Sequence, residues 1–183
     1  MCHQSCLDFG KRIIESEIKD LDVLEVGSYD VNGSLRNIIT RFKPSTYTGV
    51  DISNGPGVDV VCDARDIIHE FGEENFDFVI STELLEHAED WKEVIHNIKT
   101  VCKEGGIILI TTRSFGFPFH AYPNDFWRYE IEDMKKIFSD CEILILEKDP
   151  QVPGVFIKVR KPIDFVENAL NIDLYSMQTG RRQ

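Results

Sequence analysis

The chain lacks any basic run beyond the terminal Arg181-Arg182, and its 20 Lys and Arg stand against 32 Asp and Glu, a formal net charge of -12. Such a surface repels phosphate backbones, so nucleic acid is not an expected partner. No stretch approaches the roughly 18 consecutive apolar residues of a membrane span, and the N-terminus has neither the basic segment nor the apolar run of a secretion signal. The expectation is a cytoplasmic protein that does not enter a membrane, either monomer or homodimer. Cysteine is scarce and odd in number. Cys2, Cys6, Cys62, Cys102 and Cys141 include three that stand singly in apolar stretches, which reads as reduced thiols rather than a disulfide framework. Cys2, His3 and Cys6 offer three soft ligands where zinc wants four, and no second cluster follows, so no metal is expected.

What is present suits one ordinary domain: 183 residues, 42% of them hydrophobic and 28% charged, enough to bury a core. Apolar residues at helical spacing from Leu7 to Leu21 predict an N-terminal helix within residues 1–21. Strands are predicted at Val23 to Val26, Tyr47 to Ile52, Val58 to Cys62, Phe76 to Ile80 and Ile107 to Thr112. Helical faces lie between them, one beginning after Ser34 and one after Asp90, where Glu93 completes a capping-box pattern. A further helix around Met134 leads to two adjacent strands, Glu142 to Glu147 and Val155 to Val159. This order predicts an α/β fold: a doubly wound, Rossmann-like sheet of about seven strands, mostly parallel with an antiparallel edge pair, helices on both faces. Residues 22–112 would form a cofactor-binding half, 113–160 an acceptor loop with the edge strands, and 161–183 a C-terminal tail.

In open parallel sheets ligands bind outside the carboxyl ends of the strands. Those ends carry Glu25 and Gly27, then Asp51, then Asp63, then Ser81-Thr82-Glu83. Asp51 follows Gly27 at the spacing that lets an acid accept both hydroxyls of a ribose, and Asp63 is placed to accept from an exocyclic amine. A nucleoside ligand is expected.

The stretches Val23-Leu24-Glu25-Val26-Gly27, Tyr47-Thr48-Gly49-Val50-Asp51, Val61-Cys62-Asp63-Ala64, Phe76 to His87 and Gly105 to Thr112 occur in the order found in class I S-adenosylmethionine-dependent methyltransferases. The chain resembles that family, and within it the broad type 11 group. The resemblance implies S-adenosylmethionine as cofactor. Glu25 and Gly27 would line its methionine end, Ser28 would be a further cofactor contact, Asp51 would hold the ribose, Asp63 with the Ala64 backbone would frame the adenine, and Ser81 and Glu83 would close the pocket beside the sulfonium. One departure stands out. The turn Gly27-Ser28-Tyr29-Asp30-Val31-Asn32-Gly33 has only the first of the family's several glycines in place.

The aromatic, proline-rich stretch from Phe115 to Tyr129 follows the fifth strand and is expected to wall the acceptor pocket, with Phe117, Tyr122, Asp125, Trp127 and Arg128 facing the substrate. The competing expectation is a stiff connection packed into the core, in which Arg128 pairs with a local acid instead of a substrate anion. Methyl transfer from a sulfonium is an in-line displacement, so only a protonated acceptor needs a base. His120, in the acceptor stretch, is the favoured candidate and His87 the second. The expected activity is methyl transfer to a small molecule such as a sugar or other metabolite. Two alternatives stay open: a module that binds the cofactor without catalysis, and a nicotinamide-dependent oxidoreductase. The latter lacks its three-glycine fingerprint.

Overall fold

The structure, a computed structural model, describes residues 3–120 and 124–183. Its strands are β1 (Asp22–Val26), β2 (Thr46–Asp51), β3 (Val60–Val61), β4 (Phe76–Thr82), β5 (Cys102–Arg113), β6 (Trp127–Arg128), β7 (Glu142–Lys148), β8 (Gly154–Arg160), β9 (Tyr175–Ser176) and β10 (Arg181–Arg182). The helices are α1 (Gln4–Gly10), α2 (Arg36–Ile39), α3 (Ile67–Phe71), α4 (Trp91–Val101) and α5 (Ile131–Ile137). Seven strands form the main sheet in the order β3-β2-β1-β4-β5-β8-β7. Pairing is parallel from β3 through β5 and antiparallel at β5/β8 and β8/β7, as the sequence predicts.

Alternation along each strand splits the core between two faces. Leu24, Val26, Val79, Ile108 and Ile110 pack with Ile67 of α3, the Val94/Ile95/Ile98 face of α4 and Met134 and Ile137 of α5. Val23, Phe78, Ile80, Ile107 and Leu109 point the other way, onto Cys6 and Phe9 of α1 and Leu35 and Ile39 around α2. Both faces are covered, which is why β5 reads as an unbroken apolar run.

Several local expectations change. The N-terminal helix stops at Gly10, where a Cβ would stand 2.2 Å from a Leu35 methyl, so this close approach requires glycine. Ile13 and Ile18 continue into the core through a short 3-10 turn, Glu15–Glu17. Asp90 makes no side-chain cap on α4; its carboxylate pairs with Arg65 at 3.3 Å. The tail is built in as well: β9 lies between β6 and β10 in a three-stranded antiparallel sheet, and Leu174 is fully buried.

Strand order reverses between β1 and β4: the chain runs outward through β2 and β3, then crosses back to the other side of β1. Connections leaving these two strands diverge, and the crevice between them is where such sheets take ligands.

Candidate functional site

A cavity of about 470 Å³ opens there, bounded by Gly27, Asp51, Asp63 and Ala64 on one side and by Glu83, His87 and His120 on the other. Its size is that of a small-molecule site.

Gly27 leaves β1 at φ +81°, and an added Cβ would meet Leu84 at 3.1 Å, so the bend admits only glycine easily. The missing glycines are replaced by other links. Asp30 N donates to the Pro56 carbonyl at 2.8 Å, Gly33 N donates to Asp30 Oδ1 at 2.7 Å, and Tyr29 N donates to Asp51 Oδ2 at 3.3 Å. Ser28 turns under the loop toward Gly49, and its buried hydroxyl has no hydrogen-bond partner among the described residues. Glu25 also lies beneath the loop rather than in the cavity wall, accepting from Tyr47 Oη at 2.7 Å. Burial pushes its carboxyl up to about 7, against the opposing pull of the Tyr47 hydrogen bond.

Asp51, at the end of β2, faces the cavity with its carboxylate held by Tyr29 N and by Ser53 N at 2.9 Å. Lone pairs remain on both oxygens for a ligand. Asp63 shares its carboxylate with Arg65, whose hydrogen bond holds it below the usual carboxylate range. From α4, Asn97 Nδ2 donates to the Ala64 and Arg65 carbonyls at 3.1 and 2.7 Å and fixes that turn. Ser81, fully buried between Val26 of β1 and Ile110 of β5, stands outside the wall.

Glu83 is enclosed and adopts φ +56°, a conformation uncommon outside glycine. Its carboxylate is committed: it pairs with Arg113 and accepts from Thr111 Oγ1 at 3.0 Å. Arg113, at the end of β5, also reaches Asp149 at 3.2 Å and donates to His3 Nδ1 at 2.6 Å, tying α1 and the β7/β8 connection to the site. Burial, then the Arg113 charge, lowers the His3 pKa. The strained backbone is thus held by a buried ionic network, as expected where strain persists at a site. Nothing in the local sequence announces Arg113, whose partners lie far along the chain.

The acceptor stretch divides. His120 lines the cavity together with Asn124 and Phe126, which sequence reasoning did not single out; Tyr122 lies outside the described residues. Phe117 packs edge-on against His120, ring centroids 4.9 Å apart, and beneath the Arg113 guanidinium. Asp125 is fully buried, accepting from His120 N at 2.9 Å, His120 Nδ1 at 3.1 Å and Arg128 at 2.5 and 2.7 Å. Arg128, almost wholly buried, spends its remaining donors on the Trp127, Phe117 and Pro118 carbonyls. Its partner is therefore the local acid. Trp127 donates to the Glu89 carbonyl at 3.1 Å and takes no part in the wall. His87 Nδ1 contacts the Asn124 carbonyl, and its ring lies 4.9 Å from that of His120. Burial is the largest influence on His120 and lowers its pKa, opposed by the charges of Glu86 and Asp125.

The profile of the methyltransferase-domain family matches residues 3–139. The chain belongs to the methyltransferase-domain family. No curated protein matches it by sequence. Solved structures agree on the fold of this methyltransferase. It is similar to the Burkholderia thailandensis 1,6-didemethyltoxoflavin-N1-methyltransferase with bound 1,6-didemethyltoxoflavin and S-adenosylhomocysteine, at TM-score 0.68 and 14% identity over 85% of this chain and 78% of that one. A putative methyltransferase from Haloferax volcanii, in complex with the Trm112 methyltransferase activator, aligns at TM-score 0.68 and 12% identity over 87% of this chain and 90% of that one. The [4+2]-cyclase SpnF aligns at TM-score 0.65 and 15% identity over 86% and 80%. The nicotinamide alternative has no support in these matches. Among the described residues no helix is long and apolar enough to cross a membrane.

Proposed function

We propose that this methyltransferase binds S-adenosylmethionine in the crevice between β1 and β4 and transfers its methyl group to a small-molecule acceptor entering past His120 and Phe126. The observation that carries the reading is Asp51: a strand-end carboxylate facing the cavity with lone pairs to spare, beside the glycine bend at Gly27. Asp51 would accept the ribose hydroxyls, and Asp63 with the Ala64 backbone would frame the base. When bound, the cofactor supplies an activated methyl group on a sulfonium. The cyclase of the same fold makes the point that fold alone does not fix the reaction.

The chain's own contribution is alignment and proton handling. Asp125, itself clamped by Arg128, holds His120 by Nδ1 and turns Nε2 toward Glu86 and His87. That nitrogen would accept the hydrogen of an acceptor hydroxyl or protonated amine. Phe126 lines the cavity with His120, and Phe117 packs edge-on against the His120 ring. A sugar or other metabolite bearing such a group suits the acid-lined cavity.

Titration calorimetry with S-adenosylhomocysteine tests the reading. Binding at about micromolar level is expected, and Asp51→Ala should weaken it roughly tenfold or more, since a hydrogen bond to a charged acceptor contributes about 1.5 to 3 kcal/mol. Unchanged affinity in that variant would remove Asp51 from the site.

A further inference from the structure

The turn after β4 and the stretch after β5 bring three electron-pair donors together. Glu86 is fully buried in the 3-10 turn Leu85–His87; its Oε2 accepts from Thr112 Oγ1 at 2.9 Å, while Oε1 accepts no hydrogen bond from any described residue. His87 Nδ1 faces the Asn124 carbonyl, which can only accept, so Nδ1 carries the hydrogen and Nε2 keeps its lone pair. The same logic holds at His120. Its Nδ1 faces an Asp125 carboxylate already ion-paired with Arg128, again an acceptor, which leaves Nε2 with a lone pair. These two Nε2 atoms lie 4.0 and 3.8 Å from Glu86 Oε1.

Three acceptors thus converge with no donor among them, all within 4.8 Å of one another. The separations are too long for hydrogen bonds. They are close to those of ligands sharing one metal ion, where bonds of roughly 2.0 to 2.2 Å place neighbouring donors about 3 to 4 Å apart. Two imidazoles with one carboxylate suit zinc, iron or another first-row ion better than magnesium or calcium, which prefer all-oxygen shells. Asn124 and Asp125 fix the far side of each ring, as supporting partners do for metal-ligating histidines.

We propose that Glu86 Oε1, His87 Nε2 and His120 Nε2 form a site for a divalent first-row transition-metal ion whose open positions take a hydroxyl oxygen of the methyl acceptor. The ion site stands on these side chains alone; its use on the acceptor rests on the methyl-transfer reading. An acceptor hydroxyl held there loses its proton to water near neutral pH. The oxygen lone pair then forms the new C–O bond while the C–S bond breaks, and sulfur keeps that electron pair as the neutral thioether of S-adenosylhomocysteine. With metal present, His120 is a ligand; its action as a free base belongs to the metal-free protein.

The test uses the full chain stripped with EDTA and titrated with Zn²⁺ and, separately, with Co²⁺ followed by its visible absorption. One equivalent should bind at about micromolar level or tighter. Glu86→Gln and His120→Gln should each weaken it about tenfold or more, the range for a damaged metal shell, while S-adenosylhomocysteine affinity, read in the same samples, stays within about twofold and so certifies folding. The exposed His69→Ala should leave metal affinity unchanged. Absence of binding, or binding untouched by the Glu86 and His120 substitutions, overturns the metal site and leaves methyl transfer standing. Loss of S-adenosylhomocysteine binding in the wild-type chain would instead sink the cofactor reading, with the zinc titration still deciding the ion site.

Discussion

The two walls of the cavity are made differently. On the side proposed for the cofactor, Gly27 follows β1, Asp51 ends β2 and Asp63 lies just beyond β3, and each is aimed by its strand and by short backbone bonds. On the acceptor side, Glu86, His87, His120 and Asp125 come from two connections, and what holds them is side chain to side chain: Thr112 on Glu86, Asp125 on His120, Arg128 on Asp125. A wall made of strand ends loses one contact when one residue changes. A wall made of buried charges loses its balance, because the partner left behind stays in a low-dielectric setting without its counter-charge.

Arg128 gives the sharpest way to break this contrast. Replacing it by alanine leaves the fully buried Asp125 without its bidentate partner, and breaking a buried pair costs about 3 to 5 kcal/mol. Chemical denaturation should show a loss of that size for Arg128→Ala, against a change under about 0.5 kcal/mol for a surface substitution such as Lys135→Ala. An Arg128→Ala protein of normal stability that merely turns over poorly would mean that the guanidinium meets substrate instead of holding the loop.

A smaller effect is expected beneath the cofactor turn. Glu25 is raised to about 7 by burial. The folded state therefore holds a proton on Glu25 that the unfolded chain gives up near its ordinary 4.5, and the stability this confers is complete below pH 4.5 and lost as pH rises through about 7. The difference corresponds to at most about 3 to 4 kcal/mol, since each pKa unit is about 1.4 kcal/mol. Glu25→Gln keeps the Tyr47 hydrogen bond and carries no charge, so stability measured from pH 5 to 8 should fall less steeply than in the wild type. Identical slopes would show that Glu25 stays ionised in the fold.

How much of this was legible follows from how local each signal is. Continuous apolar runs disclosed β1, β4 and β5, and the helical face of α4 was readable because Val94, Ile95 and Ile98 recur at turn spacing. Asp51 was legible from its distance to Gly27. The thin glycine turn was legible as an oddity but not in its solution, since Pro56 and Asp51 reach it from other elements. Glu83 reads as a pocket residue from its place after β4 and does line the cavity, but its carboxylate is drawn to Arg113, 30 positions on, through a pairing that no local pattern encodes. β9 and β10 have two residues each, too few to show any alternation. Glu86 was visible only as part of a motif. Its significance depends on His120 folding back over it.

The smallest effect concerns pH. If His120 serves as the base of the metal-free protein, its Nε2 must be unprotonated, so turnover measured there should rise with pH through its pKa. That pKa lies below the ordinary 6.5, because burial, together with the like charges of His87 and Arg128, outweighs the pull of Glu86 and Asp125. The acid limb of kcat/KM should accordingly have its midpoint below pH 6.5, and activity should already be near its plateau at pH 7. His3 is also lowered, by burial and Arg113, and its ring packs edge-on against Phe117, centroids 5.6 Å apart. His3→Gln separates the two: the limb should persist there with its midpoint unmoved, since His3 accepts from Arg113 and lies outside the cavity wall. A limb that disappears with His3 would transfer the pH dependence from the acceptor wall to the network that anchors α1. A midpoint at or above 6.5 in the wild type would mean that water reaches His120, and that the acceptor wall is more open than the buried Asp125 and Glu86 beside it imply.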